Sequence, residues 1–150
     1  MACFLDTSAA AKLYHEEIGS AFVEQLLLRS GHTAFLSRLG VIEMHSVLAG
    51  KLRTGEITGA ALELTRRRFR SDVRKRRFRV VSLRVRHYEQ AEALLGSHGS
   101  AGLRTLDALQ LAVALDLRRN QLIDSCVAAD RILCQVALRE GLEVIDPEVG

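Results

Sequence analysis

The sequence predicts an α/β fold in which a central parallel sheet is covered by helices on both faces. Short apolar runs typical of buried strands alternate along the chain with longer stretches of helical periodicity. A length of 150 residues suits one domain, and 48% apolar against 26% charged residues is typical of a globular protein. A single Pro and the absence of a Gly- or Ser-rich linker predict one domain over residues 1–150.

The elements follow one another in a regular order. Strands are expected at residues 3–5, 33–36 and 78–83, within 121–127, and at 142–145. Helices are expected at residues 9–15, 17–29, 39–53, 85–95, 103–115 and 130–140. Residues 56–77 are expected to form one long helix or a broken pair, and the Gly- and Ser-rich segment 96–102 a flexible loop.

Four carboxylates are placed by this pattern at one edge of the sheet. They are Asp6, Glu43, Asp107 and Asp130. Asp6 and Asp130 follow expected strands, whereas Glu43 and Asp107 lie in the first turns of expected helices. Because a helix begins at the edge where the preceding parallel strand ends, we expect the four acids to converge.

The helix that carries Asp107 is apolar nearly all round, which predicts that it is buried. A buried carboxylate is costly unless it is paired, hydrogen-bonded or bound to a metal. No basic residue stands at positions 103, 110 or 111, although Arg104 is close in sequence. We therefore expect the three other acids and a divalent metal to share the site with Asp107.

Each acid also has a purely structural explanation. Asp6 and Asp130 could cap helices. The negative charge of Asp107 could interact favourably with the dipole at a helix N-terminus, and Glu43 could be a partly exposed helix residue. Four carboxylates at one edge repel one another, and a cation makes such an arrangement tolerable. Oxygen ligands alone favour Mg²⁺ or Mn²⁺.

Three further polar residues have less certain places in this scheme. Ser8 lies two residues after Asp6 and could orient a water on the metal or cap the following helix. Asp116 is expected on the far side of its helix from Asp107. Asp124 lies in or before a strand and is a weak candidate for the site.

Cysteine and histidine provide no alternative metal site. The three Cys include no Cys-x-x-Cys pair, and the five His show no ligand spacing. Free buried thiols fit a reducing compartment. No run approaches the roughly 18 apolar residues of a membrane span, and the N-terminus reaches Asp6 without a signal-peptide core. The expected location is the cytoplasm, without membrane attachment.

The net charge of +3 conceals a basic block between Arg66 and Arg79, which has nine basic residues and one acidic residue. This block has a net charge of +8, and the remainder of the chain has −5. Such asymmetry is typical of proteins that bind nucleic acid, although a solvated helix face explains it equally well. We expect Arg74 and Arg77 to contact RNA phosphates if the block binds RNA.

Four segments resemble the motifs of PIN-domain nucleases, and most closely those of VapC-type toxins from bacterial toxin–antitoxin pairs. They are Phe-Leu-Asp-Thr-Ser-Ala at 4–9, residues 37–43, Thr-Leu-Asp-Ala-Leu-Gln-Leu-Ala at 105–112, and Ala-Asp-Arg-Ile-Leu at 129–133. The motifs span the whole chain in the family's order. One departure is Ala128, where the family often has Ser or Thr. Ala has no hydroxyl, so the hydrogen bond that Ser or Thr would make at this position is missing.

The resemblance implies a PIN-like three-layer α/β/α fold and Mg²⁺-dependent cleavage of RNA, with Mn²⁺ as a substitute. It assigns the metal and the catalysis to Asp6, Glu43, Asp107 and Asp130. It also implies a homodimer that is inhibited by a cognate antitoxin protein.

Two other functions remain open from the sequence. A non-catalytic RNA-binding module could share the fold and keep the acids without using them. A phosphotransfer protein is the other alternative, but a phosphatase of that kind needs Asp-x-Asp, and Ser8 stands at the second Asp. A phospho-acceptor domain needs a further acid near residue 6 and a Lys after a late strand, and the sequence has neither.

Overall fold

The computed structural model, which describes residues 1–149, confirms the α/β architecture with a five-stranded parallel sheet. The strands are β1 (Ala2–Leu5), β2 (Thr33–Ser37), β3 (Arg79–Val81), β4 (Ser125–Val127) and β5 (Val144–Ile145). Their spatial order is β3-β2-β1-β4-β5, so β1 lies at the centre. The strand ends that precede Asp6, the Glu43 helix and Asp130 therefore belong to three adjacent strands.

The helices connect these strands and cover both faces of the sheet. They are α1 (Thr7–Ala10), α2 (Ser20–Leu28), α3 (Arg38–Arg53), α4 (Gly59–Arg74), α5 (Val85–His98), α6 (Thr105–Arg119) and α7 (Arg131–Arg139). Short 3₁₀ turns follow α1 at Ala11–Leu13 and α5 at Gly99–Ala101. Within residues 1–149, no helix has both the length and the apolar character needed to cross a membrane.

Two expected elements differ from the structure. The one long helix or broken pair expected at residues 56–77 is the single helix α4, which begins after Thr58 because the Thr58 hydroxyl accepts a hydrogen bond from Ala61 N at 3.1 Å. The loop expected at 96–102 is mostly helical, since α5 continues to His98 and a 3₁₀ turn follows. His98 Nε2 lies 3.1 Å from Glu140 Oε1 and holds this segment against the end of α7.

Each face of the sheet packs against its own apolar cluster. Along β1, Cys3 and Leu5 point to one face and Phe4 to the other, as the two-residue period of a strand requires. Phe4 packs with α5, α6 and α7, whereas Cys3 and Leu5 pack with helices α1 to α4. Burial on both faces is typical of parallel sheets.

Asp116 and Asp124 are accounted for by contacts away from the four acids. Asp116 Oδ2 lies 2.9 Å from Arg86 Nη2 and 2.8 Å from His87 Nε2, which links α5 to α6. Although burial raises the pKa of Asp116, hydrogen bonds from these two side chains outweigh it and lower the pKa. Asp124 Oδ2 accepts a hydrogen bond from Ala2 N at 2.9 Å, at the opposite end of β1 from Asp6.

Candidate active site

Asp6 lies directly after β1 and is 5% exposed. Its carboxylate accepts hydrogen bonds from Ser8 N at 3.2 Å and Ser8 Oγ at 2.7 Å, so Asp6 caps α1. Ser8 Oγ in turn accepts a hydrogen bond from Ala129 N at 3.0 Å. Ser8 is therefore not the helix cap. Ser8 links Asp6 to the loop before Asp130. Its hydroxyl accepts the hydrogen bond from Ala129 N, next to Ala128, whose side chain has no hydroxyl to offer.

Burial raises the pKa of Asp6 from 3.8 to about 6. The hydrogen bonds from Ser8 lower the pKa, and the nearby charge of Glu43 raises it, but burial dominates. The ionised form of Asp6 is thus unfavourable in this position. A bound cation would offset both the burial and the repulsion from Glu43.

Glu43 is fixed by a buried chain of polar side chains from three elements. Thr7 Oγ1 donates a hydrogen bond to Glu43 Oε1, and Gln110 Nε2 donates to the same oxygen at 3.3 Å. Gln110 also donates to Thr7 Oγ1 at 3.0 Å and accepts from Ser37 Oγ at 2.6 Å. Ser37 Oγ accepts a hydrogen bond from Gly40 N at 2.9 Å, which caps α3.

This polar chain was not predicted from the sequence, although the sequence contains a signal for it. Gln110 lies three residues after Asp107, on the same face of a helix that is otherwise apolar there. It is 1% exposed, and a buried amide needs hydrogen-bonding partners. Gly40 leaves room for it, since an added Cβ would lie 3.3 Å from Gln110 Nε2 and 3.4 Å from Ser37 Oγ.

Replacing Gln110 with Leu is expected to lower the free energy of unfolding by about 1–3 kcal/mol, because the Ser37 hydroxyl loses its buried acceptor and Thr7 Oγ1 loses the hydrogen bond that it accepts. Glu43 loses one of its two hydrogen bonds, and stabilisation by Mg²⁺ should decrease with it. Thermal unfolding in EDTA and in Mg²⁺ measures both effects. Gln135→Leu, at an exposed position of α7, is the matched control. An unchanged response to Mg²⁺ in Gln110→Leu would contradict this role.

Asp107 and Asp130 are joined by a basic side chain. Arg104 Nε lies 3.2 Å from Asp107 Oδ2, and Arg104 Nη2 lies 4.0 Å from Asp130 Oδ2. Asp130 also caps α7, since Asp130 Oδ1 accepts a hydrogen bond from Leu133 N at 2.9 Å. The hydrogen bond to Asp107 and the surrounding carboxylates, which include Glu43, raise the pKa of Arg104. The basic partner of Asp107 is thus Arg104, which the sequence only suggested.

The four acids lie at one edge of the sheet but are not arranged as a ready metal site. Glu43 is close enough to Asp6 for its charge to raise the pKa of Asp6, and Arg104 lies between the other two acids. Within the described residues 1–149, no group of three Asp, Glu, His or Cys side chains could hold a metal ion as placed. The chemistry nevertheless fits a hard divalent cation, because all four donors are carboxylates and two of them already lie beside the positive charge of Arg104.

A cavity of about 280 Å³ opens beside the acids. Its lining includes Thr7, Ser8 and Asp130 together with Lys12 and Lys51. Both lysines have acidic partners: Lys12 Nζ lies 2.9 Å from Glu148, and Lys51 Nζ lies 3.2 Å from Glu56. The cavity therefore brings both signs of charge next to Asp130.

The basic block occupies the end of α4 and the turn before β3. Arg74 is exposed, lines a groove between α3 and α4, and has no ion-pair partner among residues 1–149. Arg77 lies 3.2 Å from Asp72 and 3.3 Å from Glu24. Of the two arginines expected to contact phosphate, Arg74 is therefore the more available.

Comparison with known proteins identifies the fold. The family model described as PIN domain matches residues 3–137. No curated protein sequence matches the chain. Among solved structures, VapC20 from Mycobacterium tuberculosis, a sarcin-ricin loop cleaving toxin, is 21% identical over 93% of this chain and 95% of that chain, with a TM-score of 0.66.

Two further solved structures have a similar fold. FitAcB from Neisseria gonorrhoeae is 16% identical, covers 97% of both chains, and has a TM-score of 0.69. VapBC-1 from nontypeable Haemophilus influenzae is 16% identical, covers 98% of both chains, and has a TM-score of 0.64. At these identities, the similarity to solved structures shows a shared fold over nearly the whole chain.

Proposed function

Since the chain belongs to the PIN domain family, we propose that it is a Mg²⁺-dependent endoribonuclease and the toxin of a toxin–antitoxin pair. The observation that supports this most is the position of Asp6, Glu43, Asp107 and Asp130 at one edge of the sheet. Mn²⁺ would substitute for Mg²⁺, because both prefer oxygen ligands. Two copies of the chain would form a homodimer, as the family implies.

The proposed chemistry is hydrolysis of an RNA phosphodiester bond. The four acids would hold a divalent ion, which would supply a water of lowered pKa as the nucleophile and compensate charge on the phosphate. Ser8 holds the Asp6 carboxylate through Oδ2, and the Gln110–Thr7 pair holds Glu43 through Oε1. One oxygen of Asp6 and one oxygen of Glu43 are thus bound by neighbouring side chains, so the second oxygen of each of these two carboxylates would be available to the ion.

The test of the proposal is RNA cleavage by the purified protein. Cleavage is expected in Mg²⁺ or Mn²⁺ and should be absent in EDTA, because the carboxylates alone cannot activate water. Glu43→Gln, purified in parallel, should be inactive and excludes a contaminating nuclease. Asp124→Asn is the matched control, since Asp124 lies at the opposite end of β1, and it should remain active. Undiminished cleavage in EDTA would contradict the mechanism.

We propose that the basic block contributes to RNA binding through Arg74. Each phosphate contact that is lost should reduce the salt dependence of binding to single-stranded RNA by ~0.7 in the slope of log K against log salt. Arg74→Ala is expected to show this reduction. Arg77→Ala should change the slope less, because its guanidinium is already paired with Asp72 and Glu24. An unchanged slope for Arg74→Ala would leave the block as a solvated surface or a contact for the antitoxin.

The toxin role is supported by structural neighbours that are toxin–antitoxin assemblies, among them one from Klebsiella pneumoniae. Expression of the chain alone is expected to stop growth, and co-expression of a small protein encoded beside it should restore growth. The inactive Glu43→Gln variant is the control for the burden of expression. Normal growth with active protein present would count against the toxin role.

A further inference from the structure

Arg104 combines a fixed backbone with a largely exposed side chain at the candidate metal site. It stands immediately before α6 in an extended conformation, and its neighbour Leu103 is buried in the core. Gly102, with φ of 102°, lies against α7, where an added Cβ would be 3.0 Å from Ile132 Cδ1. The Arg104 side chain is nevertheless 76% exposed. Its position is therefore set by the fold, while its guanidinium can move.

The ion pairs of Arg104 are easily exchanged. The Asp107 side chain is mostly buried, but the Arg104 side chain is largely in water, where solvent screens its charge and pairing restricts its freedom, so the pair contributes little stability. A divalent cation bound by Asp107 and Asp130 would compete directly with the guanidinium for the same oxygens. Once released, Arg104 would remain at the mouth of the site, since Leu103 holds its backbone.

An RNA substrate must bring a phosphate to this same place. A guanidinium binds phosphate through two parallel hydrogen bonds, and an ammonium group cannot reproduce that geometry. Lys12 and Lys51, which line the cavity next to Asp130, are engaged by glutamates. Arg104 contacts two of the acids directly and is largely exposed, so it is placed to receive a phosphate at the acid edge.

We propose that Arg104 is a substrate-binding residue, which pairs with Asp107 and Asp130 in the metal-free protein and transfers to the RNA phosphate when metal occupies the acids. The proposal rests on the proposed nuclease function and adds a specific residue to it. It predicts two effects of opposite sign when Arg104 is removed. Metal affinity should increase because a competing cation is gone, and RNA affinity should decrease because a phosphate contact is gone.

The experiment compares Arg104→Ala and Arg104→Lys with the wild type. Arg118→Ala is the matched control, because Arg118 is an exposed arginine at the opposite end of α6. Mn²⁺ affinity is measured by calorimetry without RNA. RNA affinity is measured by fluorescence anisotropy of a labelled single-stranded RNA in Ca²⁺, with a gel to check that the RNA is intact.

For Arg104→Ala, we expect RNA to bind about tenfold more weakly, as for loss of a hydrogen bond between charged groups. Mn²⁺ should bind about 1.5- to 5-fold more tightly than to the wild type. Arg104→Lys should bind RNA with intermediate affinity, and Arg118→Ala should match the wild type in both measurements.

Two results would overturn the role of Arg104 alone. The first is RNA affinity of Arg104→Ala within twofold of the wild type. The second is weaker binding of Mn²⁺, which would mean that Arg104 merely holds the acids in place. If the wild type itself binds no Mn²⁺, the proposed nuclease function fails and the role of Arg104 fails with it. The wild-type measurement therefore separates the two failures.

Discussion

Replacing Asp6 with Asn is expected to stabilise the metal-free protein near neutral and alkaline pH, by on the order of 3 kcal/mol at full effect. Burial raises the pKa of Asp6 from 3.8 to about 6, so the folded state binds this proton more tightly than the unfolded state. The resulting stability is fully present below pH 3.8, decreases as the pH rises through about 6, and is absent above it. Asn keeps an oxygen to cap α1 but has no charge to bury.

The measurement is the free energy of unfolding in EDTA for both proteins at about pH 8 and about pH 4.5. The advantage of Asp6→Asn should be large at the higher pH and small at the lower one. Asp116→Asn should behave oppositely, because the pKa of Asp116 is lowered and its ionised form stabilises the fold. Asp6→Asn should therefore gain stability at high pH, where Asp116→Asn loses it. Equal stability of Asp6→Asn and wild type at both pH values would contradict the conclusion that burial raises the pKa of Asp6.

Replacing Asp107 with Asn is expected to reduce RNA cleavage by at least about 100-fold, because metal-based charge stabilisation contributes several kcal/mol to such reactions. The fold should be nearly unaffected. Loss of the favourable charge at the start of α6 and of the pair with Arg104, which is exposed on the Arg104 side only, costs up to about 1 kcal/mol each. Relief of repulsion among the acids offsets part of this cost.

The cleavage assay is therefore paired with thermal unfolding in EDTA and in Mg²⁺. Mg²⁺ should stabilise the wild type by about 2.7 kcal/mol at 100 times the dissociation constant, and Asp107→Asn much less. Asp124→Asn controls for removal of one carboxylate elsewhere and should respond to Mg²⁺ like the wild type. If Asp107→Asn cleaves RNA normally and responds fully to Mg²⁺, then α6 does not contribute to the site.

The structural and functional explanations of the acids turn out to be compatible. Asp6 caps α1 and Asp130 caps α7, as the structural explanation expects. The cap positions lie where strands end and helices begin, which is also where a parallel sheet collects its functional groups. A capping hydrogen bond uses one oxygen of a carboxylate, so it does not prevent the other from binding a cation.

Much of the fold was predictable because the signals are local. Alternation of short apolar runs with amphipathic stretches predicted the parallel sheet. The position of Asp6 at the edge of the sheet was predictable because Asp6 directly follows β1. The prediction of a loop at residues 96–102 was wrong. Gly and Ser weaken helix propensity there, but packing of α5 and the contact between His98 and Glu140 favour a helix. Tertiary contacts of this kind are not visible in a local pattern.

The details of the site were less predictable because they depend on pairs distant in sequence. The bond between Gln110 and Ser37 joins residues 73 apart, and that between Ser8 and Ala129 joins residues 121 apart. Arg104 was close to Asp107 in sequence, but its distance to Asp130 depends on how α7 packs beside α6. The identities of the acids were thus available from the sequence, and their supporting partners were not.

The most direct test of the shared metal site is titration of the protein with Mn²⁺, followed by electron paramagnetic resonance. Free Mn²⁺ gives a sharp signal that broadens when the ion is bound by protein. We predict that the wild type removes this signal and that Asp6→Asn and Asp130→Asn both lose the ability to do so, because the acids act as one site. A wild-type protein that leaves the signal unchanged, or two variants that bind Mn²⁺ as the wild type does, would contradict the account.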